Sequence, residues 1–167
     1  LVDRMSTFEI SNHRIGISNC HKRNVCFMCI IDKKYQAWFQ FESFNAIQER
    51  CIPDILDNDE NVVISAPKGS GKTTIFELAM IKSLQQQSAC KIVYLSPMRA
   101  LCDEKFLLWA PKMKLISKTC LEMIGGTEST EKELESASLV VTTPEKMDFL
   151  TRTGNFISQI GLILVRI

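Results

Sequence analysis

Val62-Val63-Ile64-Ser65-Ala66-Pro67-Lys68-Gly69-Ser70-Gly71-Lys72-Thr73-Thr74 decides the fold of this 167-residue chain. A β-branched apolar run feeds a glycine-containing turn that ends in Gly-Lys-Thr and opens an amphipathic segment from Ile75 to Gln87. Strand, loop and helix in that order are what a phosphate-binding P-loop needs. Small residues let backbone N–H groups converge on the β- and γ-phosphates of a nucleoside triphosphate, and the helix that follows adds its positive end. Pro67, Lys68, Gly69, Ser70, Gly71, Lys72, Thr73 and Thr74 are therefore the candidate nucleotide-binding residues. Lys72 would reach the phosphates and the Thr73 hydroxyl would ligate Mg²⁺, which makes ATP and Mg²⁺ the cofactors this stretch predicts. The usual first glycine of the motif is Ala66 here, a departure to another small side chain.

Outward from the loop, strand patterns alternate with helical ones. Lys91–Leu95, Thr119–Ile124, Leu139–Thr143 and Leu162–Val165 read as strands that follow the P-loop strand. Met98 to Trp109 reads as a helix ended by Pro111, a short charged helix follows Ser129, and Glu145 to Thr151 opens another. The pattern predicts an α/β fold: one doubly wound parallel sheet with crossovers on both faces and the P-loop strand among its members. In such sheets ligands sit at the carboxyl ends of the strands. Ala66–Thr73, Ser96–Leu101, Gly125–Thr127 and Thr142–Glu145 all follow strands, so all are predicted to share one rim.

Upstream, Tyr35, Trp38, Phe39, Phe41 and Phe44 cluster before a helical pattern at Ile47, Cys51, Ile55 and Leu56, which Pro53 should kink or restart. The rings read as core. Gln48 stands out, because an amide can both donate to and accept from an adenine edge. Residues 1–31 carry no legible domain, and the polar stretch to Arg23 reads as poorly ordered. Cys26 and Cys29 form a lone Cys-x-x-Cys near Cys20, His21 and His13, but a second, well-separated ligand pair is missing and buried thiols are the simpler reading.

Apolar residues at 46% and charged ones at 23% suit one soluble domain, here residues 32–167. A net charge of +1 means that any nucleic-acid surface must be a local basic patch. No apolar run approaches the ~20 residues of a membrane span and no signal peptide opens the chain. An odd number of cysteines, seven, points to a reducing compartment.

Ala66–Thr73, Ser96-Pro97-Met98-Arg99-Ala100-Leu101, Gly125-Gly126 and Thr143-Pro144-Glu145-Lys146, in this order, resemble the first RecA-like lobe of a superfamily-two helicase of the Ski-like branch. Phe41–Gln48 and Asn61–Pro67 are most similar to the meiotic crossover DNA helicases of the Mer type. The resemblance implies a P-loop NTPase fold, an adenine-reading Gln48, and a nucleic-acid rim made by Pro97, Arg99, Ala100, Gly125, Gly126, Thr143, Pro144 and Glu145. It also implies a monomeric, nuclear protein without membrane attachment that grips single-stranded nucleic acid, DNA rather than RNA. Contacts of that kind go to phosphates and position a strand without reading it.

Two positions depart from the family pattern. Lys68 replaces a usual Thr and adds a cation beside the phosphates. In the family, the last strand continues into an Asp-Glu pair that holds Mg²⁺ and orients the attacking water; here those places are Arg166 and Ile167. With that pair missing and no second lobe in view, the expectation is a fragment of a helicase that lacks catalytic residues and does not turn over ATP alone. A non-functional truncated product, a lobe of a Ski-like RNA helicase and an unrelated small P-loop kinase are the competing readings. The kinase leaves Gln48, Ser96–Leu101 and Thr143–Lys146 without a role.

Overall fold

Continuous apolar runs, rather than alternating ones, mark parallel strands buried on both faces. A computed structural model describes residues 6–7, 31–86, 90–125, 131–152 and 156–167, and two such runs form the middle of a sheet in it. These are β3 (Lys91–Leu95) and β5 (Leu139–Thr142). Ile92, Val93, Tyr94, Leu139, Val140 and Val141 are fully buried. β4 (Cys120–Met123) and β6 (Ile160–Val165) flank them, giving the order β4-β5-β3-β6 with every pair parallel. The register between β3 and β6 slips by one residue at Lys91/Ile92, and Gly161 on β6 absorbs the slip.

Parallel neighbours need crossovers, and helices supply them. α4 (Arg99–Leu115) joins β3 to β4, α5 (Glu131–Ser136) joins β4 to β5, and α6 (Pro144–Arg152) with a 3₁₀ turn at Ile157–Gln159 joins β5 to β6. Leu134, Met147, Leu150 and Phe156 pack with Val93 and Val140 on one face of the sheet. On the opposite face the Trp109 ring of α4 meets Tyr94 edge-on at 5.1 Å. Both faces are covered, as the doubly wound reading requires.

These elements belong to the second of two compact units, Ser83–Ile167; the first is Leu1–Lys82. The first unit holds β1 (Ser6–Thr7), α1 (Lys33–Gln36), α2 (Ala46–Leu56), β2 (Val62–Val63) and most of α3 (Lys72–Gln86). Its aromatic segment is core as expected: Tyr35, Trp38 and Phe44 are buried, Tyr35 meets Trp38 edge-on at 5.6 Å, and Phe41 bridges Phe39 and Phe44. Ile75, Leu78, Met80 and Ile81 give α3 its buried stripe.

Two expectations fail. The P-loop strand does not join the larger sheet; β2 pairs in parallel with β1, Ser6 opposite Val62 and Thr7 opposite Val63. Two paired residues, with Val63 39% exposed, make a short edge ribbon rather than a central strand. Pro111 does not end α4, which runs on to Leu115. The carbonyl that loses its partner there is that of Leu107, whose side chain is 72% exposed, so water can replace the missing bond. Pro53 lies inside α2, which does not restart there. The Cys-x-x-Cys, Cys20, His13 and His21 lie outside the described residues.

One buried cation ties the second unit together. Lys91, 4% exposed, sends its ammonium to the carbonyls of Leu134 and Glu135 (both 2.7 Å) and Ala137 (3.0 Å), the orphan acceptors at the end of α5. Burial pulls its pKa below the ordinary lysine value, and Glu135 partly opposes that. Lys91→Met keeps the stem but leaves these acceptors without their donor. It should cost on the order of 2–4 kcal/mol, read as a lower urea midpoint at unchanged slope. An unchanged midpoint would show that the helix end finds other partners.

Candidate functional site

The loop of the first unit is shaped by two glycines and one lysine. Gly69 and Gly71 have φ of +82° and +83°, a region closed to most side chains. A Cβ at Gly71 would in addition collide with the Gln48 amide. Lys72, first residue of α3, turns its ammonium back on the loop and donates to the carbonyls of Ala66 (2.5 Å) and Pro67 (2.7 Å). Ser70 N–H donates to Pro67 O at 3.3 Å and Thr74 N–H to Gly71 O at 3.0 Å.

The start of α2 holds this loop from outside. Asn45 caps the helix, its Oδ1 accepting from Ile47 and Gln48 N–H at 3.0 Å, while Gln48 Oε1 accepts from Asn45 N–H at 3.0 Å. The spare amide groups of both residues then reach the loop: Asn45 Nδ2 donates to Ser70 O (3.1 Å) and Gln48 Nε2 to Gly71 O (3.3 Å). In a trans peptide the carbonyl and the next N–H point opposite ways, so these two bonds turn the N–H groups of Gly71 and Lys72 away from α2. Gln48, expected to read adenine, is 4% exposed and acts in this structure as a capping and loop-orienting residue.

The fit to a triphosphate can be judged from the loop itself. Two left-handed glycines, a helix start and a lysine at its first position supply convergent donors, and the Ser70 hydroxyl is buried in the loop without a partner. For a metal the donor set is thinner: Thr73 offers its hydroxyl, and among the described residues no cluster of three or more His, Cys, Asp or Glu is placed to hold an ion.

The second unit carries a cleft of about 580 Å³, lined by Pro97, Arg99, Gly125, Thr143, Glu145, Lys146 and Phe149. Its walls follow three strands. Pro97 and Arg99 follow β3, Gly125 follows β4, and Thr143 and Glu145 follow β5. The Arg99 guanidinium packs over Gly125 so closely that a Cβ there would sit 2.7 Å from Nη2. Pro144 occupies the first position of α6, where its missing N–H is not needed. Ala100 and Pro144 are exposed next to lining residues, and Gly126 lies outside the described residues. Sequence reading missed Phe149 as a lining residue, and it quoted Lys146 in a motif without naming it as a contact. Thr142, expected on the rim, lies beneath the cleft, where its hydroxyl donates to Met123 O at 2.6 Å.

A profile of the DEAD/DEAH box helicase family matches residues 45–165. The chain belongs to that family. As a family member it is similar to the ATP-dependent DNA helicase MER3 homolog of Oryza sativa subsp. japonica, at 37% identity over 78% of this chain and 12% of that protein. It is similar as well to the probable ATP-dependent DNA helicases HFM1 of Xenopus tropicalis (41%, over 73% of this chain and 10% of that one) and Homo sapiens (39%, over 80% and 10%). The chain thus spans about a tenth of the length of these relatives. In three dimensions the DUF1998 helicase MrfA, solved with DNA and AMPPNP, matches 81% of this chain and 21% of its own at a TM-score of 0.68 and 18% identity. A hypothetical ATP-dependent RNA helicase from Sulfolobus tokodaii matches 81% and 41% at a TM-score of 0.63 and 22% identity. At these identities the two structures speak to the fold, and they agree on the helicase α/β architecture. Among the described residues no helix is long and apolar enough to cross a membrane.

Arg166, at the end of β6 in this helicase fold, is held by its backbone: its N–H donates to Leu95 O at 2.9 Å. Its guanidinium lies close enough to the Tyr94 hydroxyl to act on that group electrostatically. Burial pushes that hydroxyl above its ordinary pKa, and the guanidinium works against the rise. On β4, burial raises the pKa of the Glu122 carboxyl, and the neighbouring Asp103 carboxyl adds to the effect. Burial and Glu122 together push the Cys120 thiol up to about 12, so this cysteine is inert as a nucleophile.

A carboxyl whose folded pKa exceeds its unfolded value binds more protons when folded, so its contribution to stability is present at acid pH and fades as pH rises through the folded value. Stability should therefore fall from about pH 4.3, the unfolded glutamate value, up to the raised Glu122 value. Glu122→Gln should flatten that decline in denaturation curves taken across the range. The same decline in the variant would move its origin away from Glu122.

Proposed function

We propose that this chain is the ATP-binding and nucleic-acid-binding first lobe of an ATP-dependent DNA helicase of the Mer type, working in the nucleus as a monomer on single-stranded DNA. One observation carries the reading. Pro97, Arg99, Gly125, Thr143 and Glu145, picked from three separate segments for one role, line a single cleft. The likeness to MER3 and HFM1, both named DNA helicases, favours DNA over RNA and supports a meiotic setting.

In this reading the loop Pro67–Thr74 holds the triphosphate of ATP. The N–H groups of Gly71 and Lys72, turned by Asn45 and Gln48, and the Ser70 hydroxyl donate to phosphate oxygens. The Lys72 ammonium exchanges the carbonyls of Ala66 and Pro67 for the β- and γ-phosphates. Lys68 adds a cation at the mouth, and Thr73 and Thr74 complete the set. The Thr73 hydroxyl would hold Mg²⁺, which would supply charge neutralisation at the phosphates. In the cleft, Arg99 and the peptide N–H groups at Gly125–Gly126 and at the α6 start take strand phosphates, with Ala100 and Pro144 shaping the approach.

Lys72→Ala removes the charge-assisted contact and should cost on the order of 1.5–3 kcal/mol, about tenfold or more in ATP affinity by calorimetry. Equal affinities would place the nucleotide elsewhere. Single-stranded DNA should bind weakly, more weakly with added salt, and in preference to RNA of the same sequence. Arg99→Glu should lower the affinity and reduce the salt slope by about 1 or more. An unaltered affinity and slope would remove the cleft as the strand site.

A further inference from the structure

We infer that Phe149 is a stacking platform for a nucleobase of the strand bound in the cleft, next to the phosphate contacts. The inference rests on the nucleic-acid reading of that cleft and adds to it a residue that meets the base rather than the backbone.

Phe149 lies on α6, four residues after Glu145 and three after Lys146, so all three share one helical face. That face is a wall of the cleft. The ring is 56% exposed, whereas Trp109 and Phe156 of the same unit are buried at 0% and 6%. Its position in the cleft is supported from its own helix: the Lys146 ammonium sits over the ring at 5.3 Å from the centroid. A cation at that distance is attracted by the ring's negative face.

A phenyl ring has no polar handle, so what covers it must be flat and apolar. Apart from Pro97 and Gly125, the other lining residues are charged or polar: Arg99, packed over Gly125, and Lys146 provide positive charge, while Thr143 and Glu145 provide acceptors. A ligand that suits such a wall alternates anionic and aromatic groups at short spacing. That is the chemistry of a single-stranded nucleic acid, in which each phosphate is followed by a base whose π-face every ring can stack on. In a duplex the bases are already stacked on each other, so the ring favours an unpaired strand. Stacking is indifferent to base identity, which leaves the site without sequence preference. Glu145 lies one turn before the ring and would repel a phosphate there. It thereby pushes the backbone toward Arg99 and Lys146 and the base toward Phe149.

The test uses the full chain at low salt, an oligothymidylate, and an abasic strand of equal length and charge. Phe149→Ala should weaken the oligothymidylate on the order of 5- to 150-fold and leave the abasic strand unchanged. Phe149→Trp should keep the affinity, and the part of its fluorescence contributed by the new indole should be quenched by the oligothymidylate and not by the abasic strand. Arg99→Glu, which acts on phosphates, should weaken both strands. If Arg99→Glu weakens both while Phe149→Ala weakens both alike or neither, the cleft stands and the role of the ring is overturned. If Arg99→Glu weakens neither, the cleft is not the strand site and the stacking role falls with it.

Discussion

Thr142 is the point at which the second unit is fastened. Its hydroxyl donates to the Met123 carbonyl at 2.6 Å, and its own carbonyl accepts from Ser96 N–H at 3.2 Å and from the Cys102 thiol at 3.4 Å. One fully buried residue thereby joins the ends of β3, β4 and β5 and the first turn of α4. Far from water, each of these bonds is stronger than at the surface and each would be costly to leave unmade. The loops that line the cleft start from these tied ends, so their mutual spacing is inherited from the core. Valine, the same shape without the hydroxyl, would keep the packing and lose the clasp to β4.

The sheet was legible because parallel strands write themselves as unbroken apolar runs. Lys91–Leu95 and Leu139–Thr142 could hardly be anything else, and once four parallel strands are drawn, their carboxyl ends must gather the residues that follow them. The segments of Arg99, Gly125 and Thr143 were placed on one rim for that reason, while the family resemblance singled out the residues themselves. Other features depend on information that no local window holds. The pairing of Ser6–Thr7 with Val62–Val63 spans more than fifty residues of sequence and carries no pattern of its own. Pro111 reads as a stop signal, yet a helix tolerates it when the abandoned carbonyl can face water. Gln48 advertises an amide, but only the position of Gly71 in space shows that this amide also donates to a loop carbonyl. Asn45 three residues before Gln48 was the available signal, since Asn-x-x-Gln is a capping box.

Charge is deployed locally in this chain. A net charge of +1 describes a surface with little long-range pull on a polyanion, so recognition has to come from where cations stand rather than how many there are. Arg99 and Lys146 stand in the cleft with Glu145 between them in the lining, while Lys91 is spent inside the fold on the end of α5. The backbone N–H of Arg166 at the end of β6 is engaged by the β3 carbonyl of Leu95. The end of that strand thus carries a guanidinium where the helicase pattern has a carboxylate.

The cap of α2 has a consequence for how the first unit breathes. Asn45 and Gln48 each hold one end of the helix start and one carbonyl of the loop, so neither the helix terminus nor the Ser70–Gly71 peptides can swing free alone. Fraying, normally the cheapest motion of a helix, here has to carry the loop with it. Helix start and loop form one cooperative opening unit. Protection against hydrogen exchange should rise and fall together at Ile47, Gln48 and Thr74, although a stretch of twenty-odd residues separates them in the chain.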